Sequence, residues 1–112
     1  MGDTIMGDSN VGKRLQRIER KELLELTYQG RAFPIVSQIR IGRGRANHIK
    51  VDDALASRDH AIVQKIKDAY FIKDLDSTNG TFVNNRPVPS GKFVRINHGD
   101  TVKIGRTEIT LR

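Results

Sequence analysis

Residues 57–83 read SRDHAIVQKIKDAYFIKDLDSTNGTFV, and they decide the fold. His60 to Lys67, Tyr70 to Leu75 and Thr81 to Val83 are short runs rich in Ile, Val, Phe, Tyr and Thr, with Asp76 to Gly80 set between the last two. β-Branched and aromatic side chains fit a pleated, half-buried surface, whereas Asp, Ser, Asn and Gly satisfy or relax their own backbone in turns. This stretch therefore reads as strand, strand, turn, strand. The same alternation runs outward from Gly30, with further strands expected over Phe33 to Gln38, Ile39 to Gly42, Ile49 to Val51, Phe93 to Ile96, Thr101 to Ile104 and Glu108 to Leu111. Arg45 to Asn47, Asp52-Asp53, Asn84-Asn85, Pro87 to Gly91 and Asn97 to Asp100 supply the turns. Glu22 to Tyr28 reads as one more strand, closed by Gln29-Gly30. No segment sustains a helical apolar stripe, so the architecture is expected to be all-β, and short strands at this spacing form a sandwich. Ile62 and Val63 are apolar on both parities, so alternation alone does not assign the inward faces.

The chain of 112 residues has room for one domain with one modest core. With no Cys, it has no disulfide framework, thiolate zinc site or cysteine nucleophile, and a reducing compartment fits. No apolar run reaches the roughly eighteen residues of a membrane helix, and the start lacks the pattern of a signal peptide, so a cytoplasmic location with no membrane partner is expected. Met1 to Gly12 is rich in Gly and small polar residues; residues 1–21 read as a flexible N-terminal tail with a weak helical turn over Lys13 to Lys21, ahead of a domain spanning 22–112. The net charge is +7, and the basic excess lies in residues 13–50. Such a balance favours an anionic partner: a nucleic acid, an anionic membrane or a phosphorylated protein.

Several motifs imitate other chemistry. Ser57-Arg58-Asp59-His60 holds a nucleophile, a carboxylate and a base, but in an extended segment Asp59 would point away from both Ser57 and His60, so no triad is expected. Gly7 to Arg14 follows a phosphate-loop pattern until Arg14 replaces the hydroxyl that would hold magnesium. Asp74 to Asn85 fails a calcium loop because Asn79 and Asn85 stand where Gly and Glu are required. Gly42-Arg43-Gly44 lacks the third Gly of a dinucleotide fingerprint. No catalytic residue, metal site or cofactor is expected. What remains is a set of donors where strands meet loops: Arg43, Ser57, Arg58, Thr78 and Asn79. Taken singly, a loop Arg is solvated and a loop Ser or Asn caps its own turn. Loops at one end of a sandwich can gather them.

Their order and spacing resemble the forkhead-associated (FHA) family. The resemblance lies in Ile41-Gly42-Arg43, Asn47-His48-Ile49, Ser57-Arg58-Asp59-His60-Ala61, Asp74 to Asn84 with Thr78-Asn79-Gly80, Gly99-Asp100 and Ile104-Gly105, and it covers about Glu22 to Arg112. It implies an eleven-stranded β-sandwich, non-catalytic, that binds phosphothreonine peptides in signal transduction downstream of a Ser/Thr kinase. By position, the resemblance makes Arg43 and Ser57 phosphate ligands, Arg58 a ligand of phosphate or peptide backbone, Thr78 a further phosphate donor and Asn79 the residue that holds the peptide backbone. Gly42, His60, Gly80 and Asn84 are implied to be structural support. The loop before Ser57 offers Leu55, which implies an apolar preference three residues after the phosphothreonine. His48 stands where the family commonly has Asp, and Asn85 where it commonly has Gly; Asn enters left-handed turns readily.

Two other readings compete: a phosphate-independent scaffold or dimer of this fold, and a basic nucleic-acid-binding domain, motivated by the basic stretch Lys13 to Lys21. Retention of Arg43, Ser57 and Asn79 opposes the first. The second is disfavoured because aromatic residues make up only 5% of the chain, too few for a stacking platform. Thr4 in the acidic start raises one regulatory expectation, that once phosphorylated it drives self-association by occupying the basic site in cis or in a neighbouring molecule.

Overall fold

In the computed structural model, residues 23–112 are described. The tail over 1–21, its helical turn and Thr4 lie outside the described residues. Eleven strands form two sheets, and no helix occurs among the described residues. The first sheet holds six strands: β1 (Glu25–Tyr28), β2 (Arg31–Pro34), β7 (Thr81–Val83), β8 (Arg86–Pro87), β10 (Thr101–Ile104) and β11 (Thr107–Leu111), in the order β2-β1-β11-β10-β7-β8. The second holds β3 (Gln38–Gly42), β4 (Ile49–Lys50), β5 (Ala61–Ile66), β6 (Ala69–Asp74) and β9 (Phe93–Ile96), in the order β4-β3-β5-β6-β9. All pairs are antiparallel except β3 with β4, where Gly42 lies opposite Lys50.

Ile39, Ile41, Val63, Ile72 and Ile96 point inward from the smaller sheet and meet Leu26, Val102, Ile104, Ile109 and Leu111 from the larger one in a single buried cluster. Each of these side chains removes roughly 1.5–3 kcal/mol worth of apolar surface from water. Tyr70 is buried beside them, and its hydroxyl accepts the Leu24 N–H at 3.1 Å, which ties the larger sheet to the smaller. The ambiguity at Ile62 and Val63 resolves with Val63 inward at the sandwich centre. Ile62 faces out between its register partners Arg40 and Lys73, side chains long enough to cover it with their aliphatic stems.

Two expectations need correction. A strand over Phe33 to Gln38 does not form: β2 runs from Arg31 and stops at Pro34, which lacks the N–H to continue a ladder, and Ile35 then plunges into the core as the chain crosses between sheets. The stretch from Pro87 is not all turn, because Arg86–Pro87 pairs with β7 at the sheet edge, a position proline tolerates. Between them, Asn84 and Asn85 have φ of 50° and 68° and close a two-residue hairpin of the kind that matches strand twist. The Asn at position 85 is thereby accommodated.

The strand directions bring the loops after β3, before β5, after β6 and after β10 to one end of the sandwich. Ile41 faces Ala61, Ala61 faces Asp74, and Thr81 faces Ile104.

Candidate functional site

The site is assembled by backbone pairing between loops. The Arg43 and Gly44 N–H groups donate to the carbonyls of Ser57 (2.9 Å) and Arg58 (3.1 Å), and the Val51 N–H donates to Gly42 (2.8 Å). Close approach demands Gly42: a Cβ there would sit 2.1 Å from the Arg58 carbonyl oxygen. Asn47 adds a side-chain clasp, its Nδ2 donating to Gly44 O at 2.9 Å and Arg58 O at 2.7 Å. Arg43 is held by its own Nε, which donates to Ala56 O at 3.0 Å and leaves the terminal guanidinium nitrogens for a ligand.

Residues 57–60 form a tight turn rather than the extended segment expected from the sequence, because the Ser57 N–H donates to His60 Nδ1 at 2.9 Å. Since Nδ1 accepts, the proton sits on Nε2, which donates to Gly80 O at 2.9 Å. His60 is completely buried and pins the Ser57 turn to the loop after β6. The triad geometry fails for a different reason than alternation: the imidazole serves two backbone groups, and neither nitrogen bonds Ser57 Oγ. Ser57 Oγ instead accepts the Thr78 N–H at 3.0 Å, and its own proton can be donated outward.

The loop after β6 is organised from below by Asp74. Its carboxylate accepts from Ser77 Oγ (2.6 Å), the Ser77 N–H (3.0 Å) and Thr81 Oγ1 (2.6 Å), and Ser77 Oγ accepts the Gly80 N–H at 2.9 Å. Burial pushes the carboxyl pKa up, but these donors more than offset it and hold it below the ordinary Asp value. Gly80 has φ of 87°, a conformation that side chains resist. Asn79 is exposed, and its Nδ2 donates to Leu55 O at 2.9 Å, which links this loop to the one before β5.

A third connection comes from Asp53. Its carboxylate accepts from the Leu55 and Arg106 N–H groups and from Thr107 Oγ1, bonds that lower its pKa in that order.

The surface so framed is cationic. Arg43, Gly44, Arg45, Lys50 and Arg58 line a cleft of about 430 Å³, and none of these cations pairs with a carboxylate among the described residues. Of the residues singled out from the sequence, Arg43, Ser57, Arg58, Thr78 and Asn79 come together at this end, with Gly42, His60 and Gly80 beneath them. Asn84 does not join them: it lies at the far end of β7, where Nδ2 donates to Asp100 Oδ1 (2.9 Å) and Oδ1 accepts the Thr101 N–H (3.0 Å). Sequence reasoning passed over Asn47, Asp53 and Asp74 as organisers. Asp74 and Ser77, three apart before a Gly, carried a local signal for a side-chain-capped turn; Asn47 and Asp53 also bond locally, to Gly44 and Leu55, but the contacts by which they join loops lie 11 and 53 residues away, where the sequence carries no signal.

The family model for the FHA domain matches residues 39–105. Transcriptional regulatory protein EmbR of Mycobacterium tuberculosis is 37% identical over 84 residues, which is 74% of this chain and 21% of EmbR. The chain thus spans about a fifth of that relative's length. A structure of that protein in complex with a low affinity phosphopeptide matches with a TM-score of 0.74 and 28% identity, covering 93% of this chain and 30% of that one. An FHA domain solved in a structural and functional study of phosphothreonine-dependent FHA interactions matches with a TM-score of 0.73 and 31% identity, over 80% of this chain and 95% of that one.

Proposed function

Because this chain belongs to the FHA-domain family, we propose that it is a non-catalytic module that binds phosphothreonine peptides and so makes protein–protein contact depend on phosphorylation. The observation that carries this reading is the cleft lined by Arg43, Arg45, Lys50 and Arg58, none of them paired with a carboxylate among the described residues, at the end of the sandwich where three loops are bonded to one another. A site already ordered loses little entropy on binding. Arg43, Ser57 and Arg58 take the phosphate. Thr78 holds Ser57 Oγ in place through its N–H and presents its hydroxyl as a further phosphate donor. Asn79, anchored to Leu55 O, takes the peptide backbone. Each charge-assisted bond to a phosphate of about −1.5 to −2 charge contributes roughly 1.5–3 kcal/mol, so removing the phosphate removes most of the affinity.

Gly42, His60 and Gly80 keep the loops at this spacing, and the imidazole's two backbone bonds leave no base for Ser57 chemistry. Leu55, 42% exposed, stands beside Asn79 and favours an apolar residue three positions beyond the phosphothreonine. No described helix is long and apolar enough to cross a membrane, and a cytoplasmic setting, downstream of a Ser/Thr kinase, is where such a reader acts. Phosphorylated Thr4 is a candidate internal or intermolecular ligand; a phosphomimetic-free test is to phosphorylate Thr4 enzymatically and measure competition with a peptide, and unchanged peptide affinity would remove it.

The test of function is titration calorimetry with one peptide in phosphothreonine, phosphoserine and unmodified forms. The expected order is phosphothreonine first, phosphoserine weaker by about 1 kcal/mol for the unburied methyl, and no measurable binding for the unmodified form. Equal binding of all three would instead indicate a phosphate-independent scaffold.

A further inference from the structure

The cleft holds more positive charge than one phosphothreonine neutralises. Four cations line it: Arg43 and Arg58, already matched to a phosphate, and Arg45 and Lys50 beyond them. A phosphate carries about −1.5 to −2 near neutral pH, which two guanidinium groups balance. Arg45 and Lys50 are both exposed, and neither forms an ion pair among the described residues. No carboxylate lines the cleft, although Asp52 and Asp59 are close in sequence. Residue 48, in the same loop as Arg45, is a histidine whose Nδ1 accepts the Arg40 N–H at 2.9 Å, so it brings no negative charge.

The strand pairing places Lys50 beside the loops that carry Arg43 and Arg58. Lys50 sits on β4 directly opposite Gly42 of β3, with Ile49 turned into the core. The space that a Gly42 side chain would take is filled by the Arg58 carbonyl oxygen, 2.1 Å from a Cβ built there, and by Asn47 Nδ2 at 2.9 Å, so the loop carrying Arg58 packs against this point of the β3–β4 pair, beside Lys50. Four like charges gathered without counter-charge repel one another, a cost of holding them that a ligand of matching charge relieves.

We propose that Arg45 and Lys50 form a second anion subsite, so that the preferred ligand is a peptide with another anionic group within a few residues of the phosphothreonine. This rests on the phosphothreonine reading of the same site and specifies its ligand class. The group is either a second phosphorylated residue or an acidic side chain. A phosphate, with more charge and three acceptor oxygens, fills the subsite better than one carboxylate.

The test uses four otherwise identical peptides: unmodified, phosphothreonine only, phosphothreonine with a nearby glutamate, and phosphothreonine with a nearby second phosphothreonine. Affinities are measured for the wild type and for a double variant, Arg45→Gln with Lys50→Gln, whose fold is checked by its thermal midpoint. The wild type is expected to bind the doubly phosphorylated peptide about tenfold more tightly than the singly phosphorylated one, with the glutamate peptide between them. In the double variant, the ratio of doubly to singly phosphorylated affinity is expected to fall toward one. A wild-type ratio near one, or a ratio untouched by the double variant, overturns the subsite while leaving single-phosphate recognition standing. If no phosphopeptide binds but a DNA duplex does, with steep salt dependence, the reading of the whole cleft fails and its cations belong to a nucleic-acid interface.

Discussion

In the proposed site, Ser57 joins recognition to loop geometry through one oxygen. Its Oγ accepts the Thr78 N–H, which leaves the hydroxyl proton to be donated to a ligand, while its own N–H is fixed on His60. Ser57→Ala is therefore expected to weaken phosphopeptide binding about tenfold and to lower stability by about 1 kcal/mol, because the Thr78 N–H loses its partner. Calorimetry and urea unfolding of the variant check the two effects separately. Gly42→Ala is a different kind of change: a methyl 2.1 Å from Arg58 O and 2.9 Å from Asn47 Nδ2 forces the β3 and β5 loops apart. It is expected to cost at least about 1–3 kcal/mol and to lower the thermal midpoint measurably. At this scale the sequence was partly legible. Arg43, Ser57, Arg58, Thr78 and Asn79 were recognisable only as a spaced set, since each alone is an ordinary loop residue. The bonds that brace them, from Asn47 to Arg58 O and from Asp53 to Arg106, join positions whose proximity only the folded chain creates.

The loop between β6 and β7 behaves as a unit built on Asp74. Thr81→Val keeps the shape of a buried residue and deletes one donor to the carboxylate, so it is expected to destabilise by about 1–2 kcal/mol in denaturant unfolding. The carboxyl titrates lower in the folded chain than its unfolded value of 3.8. Just below that value the unfolded chain binds more protons than the folded one, so stability conferred by Asp74 is complete above it and drains away as pH falls through the lower folded value. Urea unfolding from pH 6 down to pH 3 is expected to show this acid loss in the wild type, and a flatter acid limb in Asp74→Asn from a lower starting stability. Strands around this loop were easy to read, because Ala61–Ile66 and Ala69–Asp74 are β-branched, aromatic and paired in one register. Strand β8 was not, since two residues at an edge, one of them proline, leave no periodic pattern. Nor was the end of β2, where Ile35 looks like a continuing strand and instead crosses to the core.

At the scale of the molecule, two sheets form the frame, and the proposed site lies in the loops at one end, where Arg43, Arg45, Lys50 and Arg58 line one cleft. Electrostatic attraction of an anionic peptide by this end should show in the association rate. Raising salt from about 0.05 to 0.5 M is expected to slow association severalfold by stopped-flow, with a smaller change in dissociation, because added ions screen the long-range attraction between exposed charges. The central claim is that the three loops make one phosphate-dependent site. It is tested most directly by following backbone amide resonances during titration with a phosphothreonine peptide and with its unmodified twin. The expected result is that shifts concentrate at Arg43, Ser57, Arg58, Thr78 and Asn79 with the phosphopeptide, are absent with the twin, and vanish in Arg43→Ala. Equal shifts from both peptides, or shifts centred on the Asn84 end of the sandwich, would contradict it.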